Sequence, residues 1–223
     1  MKLLSAFLDL LFPPKCPFCG RVLDRPGICD TCQAALPWIG GADAVRELPG
    51  GLRCAAPLWY RDLARKGLLR FKFQGGSAAA EPLGGLIAQC AAEELSGEFD
   101  TVTWVPVSRR RLRERGYDQA ELLAQAAGRV WGVRPERLLE KVQDNPAQSG
   151  LESPEARREN VWNVYQALPD AAGKRVLLID DICTTGATLI ECAQVLTQAG
   201  AAGVVCAAAA LTPREKVHSS VKE

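Results

Sequence analysis

The sequence is short of the residues and runs that mark several large classes of protein. It has one histidine in 223 residues, His218, in a polar C-terminal segment, so sites built on histidine are not expected. Aromatic residues make up 6% of the chain and the formal net charge is +1, which leaves no obvious stacking platform or uniformly basic face for nucleic acid. No run of eighteen apolar residues occurs, so no membrane-spanning helix is expected.

Two nucleotide-binding signatures are also missing. The strand-like run that ends at Asp181 could be the Walker B strand of a P-loop ATPase, but no GxxxxGK[ST] motif is present. The chain contains no GxG either, so a Rossmann dinucleotide loop is not expected.

The first twelve residues, MKLLSAFLDLLF, place their large apolar side chains on one helical face. They resemble a secretory signal, but Asp9 interrupts the apolar run and Pro13 and Pro14 follow where small residues would mark cleavage. Lys2 is the one base within the segment, which argues against attachment to a membrane. We expect a short amphipathic helix docked on the protein itself and no signal peptide.

Four of the nine cysteines form two CxxC pairs, Cys16 with Cys19 and Cys29 with Cys32, separated by nine residues. An odd total and this spacing favour metal binding in a reducing compartment, so the protein is predicted to be cytoplasmic. Four thiolates can converge tetrahedrally on Zn²⁺, and a closed shell of this kind is structural and not catalytic. The alternative is a set of free thiols or a redox pair.

The remaining cysteines are scattered among apolar segments and are interpreted as small buried hydrophobes. By its position in the chain, Cys183 is the one that could touch a ligand. These five residues are Cys54, Cys90, Cys183, Cys192 and Cys206.

A stretch rich in proline, glycine and cysteine runs to about Gly51, and alternating strand-like and helix-like segments follow it. A domain boundary is therefore predicted near that glycine. The alternation predicts an α/β fold with an open, mostly parallel sheet that binds ligands at the carboxyl ends of its strands. The predicted helices are 83–95, 119–131 and 187–199, and the predicted strands are 101–105, 176–179 and 204–209.

The most informative stretch is 176–189, VLLIDDICTTGATL, with the order strand, two acids, small hydroxylic loop and helix. Asp180 and Asp181 can accept hydrogen bonds from two vicinal ribose hydroxyls. The following residues offer backbone N–H groups and hydroxyls to a phosphate at the start of a helix: Thr184, Thr185, Gly186, Ala187 and Thr188. A turn that merely caps the helix would explain one acid and one hydroxyl, but not two acids with three threonines.

At these residues the chain resembles the motif of type I phosphoribosyltransferases that binds phosphoribosyl pyrophosphate (PRPP). Together with the N-terminal Cys₄ module, three further stretches resemble the ComF family, also called competence protein F or GntX-like. These stretches are 67–75, 105–120, and 145–151 with 157–161. Two departures are visible: Asp118 stands where family members often have Asn, and only Cys54 could remain of a second set of zinc-ribbon cysteines.

The resemblance implies that residues 1–51 hold the N-terminal helix and a zinc ribbon, and that residues 52–223 form a phosphoribosyltransferase-like domain. It also implies binding of PRPP or another ribose 5-phosphate compound with Mg²⁺, and transfer of the phosphoribosyl group to an unknown acceptor. Two alternatives remain open. One is an adaptor that binds single-stranded DNA or the DNA-uptake machinery, and the other is a PRPP sensor without turnover.

By the same resemblance, Ser108, Arg109 and Arg110 would lie near the diphosphate. The residues agree, because five arginines between 109 and 115 suit multidentate phosphate contacts, although a solvated basic helix start is the alternative. Asp118 is interpreted as the N-cap of the helix that follows it.

Two further segments carry candidate contacts. The stretch 145–158 could be a lid over the substrate or an exposed linker, and the resemblance favours a lid that contacts the substrate through Gln148 and Arg157. Lys72 lies between Phe71 and Phe73, and alternation along a strand would point its ammonium away from both rings. Lys72 is then either a ligand of pyrophosphate or acceptor, or a surface lysine.

Overall fold

The computed structural model describes residues 13–73, 77–143 and 164–213. The predictions for the N-terminal helix, His218, Gln148 and Arg157 lie outside these ranges. Among the residues that are described, no helix is both long and apolar enough to cross a membrane.

The described α-helices are α1 (Asp30–Ala35), α2 (Asp62–Phe73), α3 (Ala80–Glu94), α4 (Arg109–Arg115), α5 (Gln119–Trp131) and α6 (Ala187–Gln198). The predicted helices over 83–95, 119–131 and 187–199 are confirmed as α3, α5 and α6. Side chains and glycines set their ends. Ser108 and Asp118 cap α4 and α5, and these helices stop at Gly116 and Gly132, whose φ angles are 79° and 70°.

The strands are β1 (Val45–Leu48), β2 (Leu52–Ala55), β3 (Leu58–Trp59), β4 (Thr101–Trp104), β5 (Leu139–Lys141), β6 (Tyr165–Ala167), β7 (Arg175–Cys183) and β8 (Gly203–Leu211). The main sheet has the order β1-β2-β8-β7-β4, with β3 beside β8, and all of its pairings except β1 with β2 are parallel. β5 and β6 form a separate antiparallel ribbon. The mostly parallel open sheet predicted from the sequence is confirmed.

The centre of the sheet is buried on both faces, as the unbroken apolar run in β7 predicts. Leu177 and Ile179 pack into one core cluster with residues of α3 and α5. Val176 and Leu178, which point to the opposite face, pack into a second cluster with residues of α6 and the β5–β6 ribbon. This sandwich leaves the carboxyl ends of β7 and β4 open at one edge.

The strand assumed around Lys72 is wrong, because Phe71, Lys72 and Phe73 form the last turn of α2. In these three residues alone, apolar and polar side chains alternate, as they would in a strand. Over the longer segment the buried residues Ala64, Leu68 and Phe71 follow the spacing of a helix. Phe71 is therefore buried, whereas Phe73 is 65% exposed.

A β-hairpin crosses the boundary predicted near residue 51. β1 and β2 pair from Val45 with Ala55 to Leu48 with Leu52, and β2 continues the main sheet through β8. Residues on both sides of the boundary thus share one sheet. Whether residue 51 divides two folding units stays a prediction.

Candidate functional site

The two CxxC pairs meet in one cluster. The sulfur atoms of Cys16, Cys19, Cys29 and Cys32 all lie within 4.8 Å of one another, and Cys19 is the one exposed member. Although burial acts to raise it, backbone hydrogen bonds from Cys29, Cys19 and Phe18 lower the pKa of the Cys16 thiol to about 7. Such N–H groups favour thiolates, which are the form that binds zinc. The cluster is a closed Cys₄ set suited to structural Zn²⁺, as the spacing predicts.

The first CxxC pair packs directly on α2. A Cβ atom at Gly67 would lie 2.4 Å from Cδ1 of Phe18, so only glycine permits this approach. Arg70 Nη1 also donates to the Phe18 carbonyl oxygen at 2.9 Å. The zinc module is therefore packed against the helix that ends at Lys72.

A cleft of about 350 Å³ opens at the carboxyl ends of β7 and β4, where ligands of open α/β sheets bind. Its lining includes cations of three elements and two acids of β7. These charged residues are Lys72, Arg111, Arg115, Lys141, Asp180 and Asp181. The structure thus brings the predicted acids together with Lys72, from a segment more than a hundred residues earlier.

Asp180 and Asp181 lie side by side at the end of β7. The Asp180 Oδ1 atom accepts a hydrogen bond from the Asp181 backbone N–H at 2.8 Å, and Lys72 Nζ lies 3.5 Å from Asp181 Oδ2. Burial, and next the charge of Asp181, raise the pKa of Asp180 well above its usual value. Hydroxyl donors or a cation of a bound ligand would stabilise the ionised form of this pair. The pair is therefore a candidate ligand-binding site.

The loop after the acids has the geometry of an anion site. Gly186 adopts φ 82° and begins α6, and Thr185 Oγ1 accepts from the Ala187 N–H at 3.4 Å. Among the described residues, no acceptor is found for the backbone N–H groups of Thr185, Gly186 and Thr188. Thr184 and Thr188 line the cleft. Cys183, by contrast, is 1% exposed and does not line it.

The arginine run divides between the cleft and solvent. Ser108 accepts from the Arg111 N–H at 3.3 Å as the cap of α4, and with Arg109 it lines a neighbouring cavity of about 260 Å³. Arg110 pairs with Glu114 at 2.9 Å and lines neither cavity. Arg111 and Arg115, which sequence reasoning did not single out, line the cleft.

A helical spacing could have identified them. Arg111 and Arg115 are four residues apart in α4, and Arg115 Nη1 donates at 2.9 Å to Oε1 of Gln119, the first residue of α5. Starting the count at a cap on Ser108 would have put Arg111 and Arg115 on one face and Arg110 and Glu114 on another.

Asp118 caps α5, as predicted, and it also supports the loop before α4. Its Oδ1 accepts from the Glu121 N–H at 3.2 Å, and its Oδ2 accepts from the Val107 N–H at 2.9 Å. Burial raises the pKa of this carboxyl to about 6, against the effect of both hydrogen bonds. The residue therefore ties the loop after β4 to the start of α5.

The β5–β6 ribbon supplies another wall of the cleft. Lys141 Nζ donates to the Tyr165 hydroxyl at 3.2 Å and lies 5.0 Å from the centre of its ring. Burial raises the pKa of Tyr165. Neither residue was predicted from the sequence, since no motif marks them.

Comparisons with known proteins match both parts of the chain. The phosphoribosyl transferase domain family matches residues 118–222, and the double zinc ribbon domain family matches residues 7–44. In the described part of the chain there is one Cys₄ cluster. Cys54, the possible remnant of a second set, is buried within β2.

Two curated relatives match along most of their length. Competence protein ComFC of Bacillus subtilis (strain 168) is 28% identical over 85% of this chain and 74% of its own. DNA utilization protein YhgH of Escherichia coli O157:H7 is 32% identical over 87% of this chain and 96% of its own. Among solved structures, a glutamine PRPP amidotransferase from B. subtilis is 22% identical with a TM-score of 0.43, over 62% of this chain and 30% of its own. This chain spans less than a third of that amidotransferase.

Proposed function

We propose that this chain, which belongs to the ComF family, binds PRPP or a related ribose 5-phosphate compound with Mg²⁺ in the cleft, and transfers the phosphoribosyl group to an acceptor with release of pyrophosphate. One observation carries the proposal. Two adjacent carboxylates near the end of a buried parallel strand precede a loop in which the N–H groups of Thr185, Gly186 and Thr188 have no acceptor among the described residues.

The acids and the loop would hold the two ends of the ribose 5-phosphate. Asp180 and Asp181 would accept hydrogen bonds from the 2′ and 3′ hydroxyls, and Lys72 would balance the charge of Asp181. The loop from Thr184 to Thr188 would bind the 5′-phosphate with its N–H groups and hydroxyls at the N-terminus of α6.

The diphosphate would lie toward α4 and the β5–β6 ribbon. Arg111, Arg115 and Lys141 line that part of the cleft and would neutralise the charge that develops on the leaving pyrophosphate. No covalent nucleophile is required, since positioning and electrostatics carry this class of step.

The residues present fit Mg²⁺ bound jointly with the substrate. Apart from the Cys₄ set, the described residues contain no group of three or more metal-ligating side chains, so an all-protein cage is not expected. Mg²⁺ is commonly held by one or two carboxylates together with substrate phosphates, and Asp180 and Asp181 can supply the former. The ion would neutralise the diphosphate and make it a better leaving group.

The test is calorimetric binding of PRPP with Mg²⁺ to the zinc-loaded protein. We expect saturable binding that is lost when Asp180→Asn and Asp181→Asn are combined, and kept in Asp170→Asn, which removes an exposed acid away from the cleft. A folded wild type that binds no PRPP would contradict the proposal. Binding without pyrophosphate release over a screen of nitrogen nucleophiles would favour the sensor.

A second candidate, an adaptor for single-stranded DNA, rests on the exposed basic face of α4. The helix buries none of its residues, and the Arg115 guanidinium lies 5.4 Å from the centre of the exposed Phe73 ring. Fluorescence anisotropy of a labelled oligonucleotide at several salt concentrations tests it. DNA affinity should fall steeply with salt and weaken in Arg113→Gln, whereas PRPP affinity should depend less on both.

A further inference from the structure

Arg46 of β1 is a buried cation that donates to two backbone carbonyls and also interacts with the Cys183 thiol. The residue is 9% exposed, and its Nη1 and Nη2 atoms donate to the Thr184 and Thr212 carbonyl oxygens at 3.1 and 2.6 Å. Within the described ranges no carboxylate forms an ion pair with it. Burying a guanidinium is costly unless its donors are satisfied, so the two carbonyls, together with the Cys183 sulfur, stabilise Arg46 in this position.

The Thr184 carbonyl belongs to the first peptide of the phosphate loop. In a planar trans peptide the C=O and the following N–H point in opposite directions. Holding the Thr184 oxygen toward Arg46 therefore turns the Thr185 N–H away from Arg46. That N–H is one of the loop donors for which the described residues provide no acceptor.

Leu48, two residues further along β1, contacts the same loop. Residues two apart in a strand share a face, and both Arg46 and Leu48 are buried. A Cβ atom at Gly186 would lie 2.7 Å from the Cδ1 and Cδ2 atoms of Leu48, and Gly186 has a positive φ of 82°. One face of β1 thus contacts the loop at its first peptide and at its glycine.

The Thr212 carbonyl extends the contact to the neighbouring strand. The Thr212 N–H donates to the Cys183 carbonyl oxygen at 3.0 Å, so the residues just after β8 are already joined to the end of β7. Through its two hydrogen bonds, Arg46 connects β1 to the loop and to the residues that follow β8. A single side chain from the N-terminal quarter of the sequence thus fixes three segments at the edge of the cleft.

We propose that Arg46 is a positioning residue that holds the phosphate loop in the conformation that binds an oxyanion. Without its two donors the Thr184–Thr185 peptide is free to rotate, and the loop N–H groups no longer converge. The effect on loop order is independent of the proposed function, whereas the effect on PRPP affinity rests on it.

The experiment compares Arg46→Met with Arg53→Met in the full zinc-loaded chain. Arg53 lies on the other strand of the hairpin and bonds to Glu98 and to the Glu94 carbonyl, away from the loop. Backbone ¹⁵N order parameters of Thr185, Gly186 and Thr188 are measured without ligand, and PRPP affinity is measured by calorimetry. In Arg46→Met we expect order parameters to fall from about 0.85 to below about 0.6, and PRPP affinity to fall roughly tenfold.

Loop order and affinity should stay near wild-type values in Arg53→Met. Equal loop order in the two variants would overturn the proposal, and so would a disordered loop that binds PRPP with unchanged affinity. If Arg46→Met does not fold, Arg46→Lys decides, because an ammonium lacks the planar fork that reaches both carbonyls, and unchanged loop order would again overturn it. A wild type that fails to bind PRPP would sink the proposed function while the order parameters still test Arg46.

Discussion

Two parts of the molecule bring together side chains that repel one another when ionised. In the zinc module, the sulfur atoms of four cysteines lie within 4.8 Å of one another, and backbone N–H groups donate to that of Cys16. At the cleft, Asp180 and Asp181 are neighbours with one lysine beside them. The first set is closed, and a bound Zn²⁺ would offset half of the charge of its four thiolates, whereas the second set opens onto a cavity. Repulsion between like charges would be relieved by the metal on folding in the zinc module. At the cleft it could be relieved by a bound ligand.

The largest expected effect comes from removing one cysteine of the closed Cys₄ set. Cys32→Ser should lose zinc and unfold the module, because the metal affinity of such sites, about 10–16 kcal/mol in zinc-finger peptides, is coupled to folding. Metal analysis and thermal unfolding check this. Cys90→Ser, at a buried cysteine outside the cluster, should keep its zinc. Full zinc content and an unchanged unfolding temperature in Cys32→Ser would remove the contrast between the two regions.

A smaller effect should separate two adjacent arginines at the open set. Arg111→Gln should weaken PRPP binding about 10- to 100-fold if it loses a charge-assisted hydrogen bond, since Arg111 lines the cleft. Arg110→Gln should change affinity less than about twofold, because Arg110 pairs with Glu114 on the exposed side of α4. Calorimetry on both variants measures the difference. Equal losses would mean that the arginine run acts only through its total charge.

Neutralising one acid of the open set should stabilise the protein. Folding raises the pKa of Asp180 above its usual 3.8, so its contribution to stability is present at low pH and is lost as pH rises through the folded-state pKa. Asp180→Asn keeps an acceptor for the Asp181 N–H without the buried charge. Thermal unfolding at pH 8 should shift upward, by about 2–4 °C for each kcal/mol gained.

That gain should be smaller at pH 5 than at pH 8, because lowering the pH favours the protonated form of the wild-type Asp180, which carries no buried charge. Asp170→Asn, at an exposed position, should shift little at either pH. A lower unfolding temperature for Asp180→Asn at pH 8 would show that the acid is stabilising, and the contrast with the thiol cluster would disappear.

The smallest expected change is at Asp118, a buried acid whose pKa is raised mainly by burial. Its pKa of about 6 predicts a stability contribution that is lost as pH rises from about 4 through about 6. In Asp118→Asn the loss of a buried charge is offset by the loss of one hydrogen bond, because an amide has one oxygen for the N–H groups of Val107 and Glu121. The net change at pH 8 should be within about 1 kcal/mol.

Urea unfolding of Asp118→Asn and wild type from pH 5 to pH 8 measures this effect. The variant should have a flatter dependence of the free energy of unfolding on pH. A slope as steep as that of the wild type would assign the titration to another group.

Local patterns made half of the site predictable. The Cys₄ set and the 180–188 loop each lie within a short segment of the sequence, so the spacing of their residues is enough to predict that they lie together. The alternation of strand and helix predicted the sheet, and its parallel order predicted that the acids lie at the edge where open α/β sheets commonly bind ligands.

Contacts between distant segments were not predictable in this way. Arg46 and Thr184 are separated by 138 residues, and nothing in the VREL sequence of β1 marks its arginine for the loop. The strand around Lys72 was inferred from the alternation of only three residues, and over so short a segment a helix and a strand cannot be told apart. The resemblance points to a loop at Arg109 and Arg110, whereas these residues begin α4, and its helical turn decides that Arg111 and Arg115 line the cleft.

The hairpin at residue 51 has a practical consequence for dissecting the protein. A shortened chain that starts at residue 52 would lack the partner strand of β2, and the outer N–H and C=O groups of β2 would become an unprotected edge. Such edges pair with other chains, so the shortened protein should self-associate at concentrations where the full chain does not. Starting at residue 41 would keep the hairpin, and the 3₁₀ turn Gly41–Ala44 would lead into it.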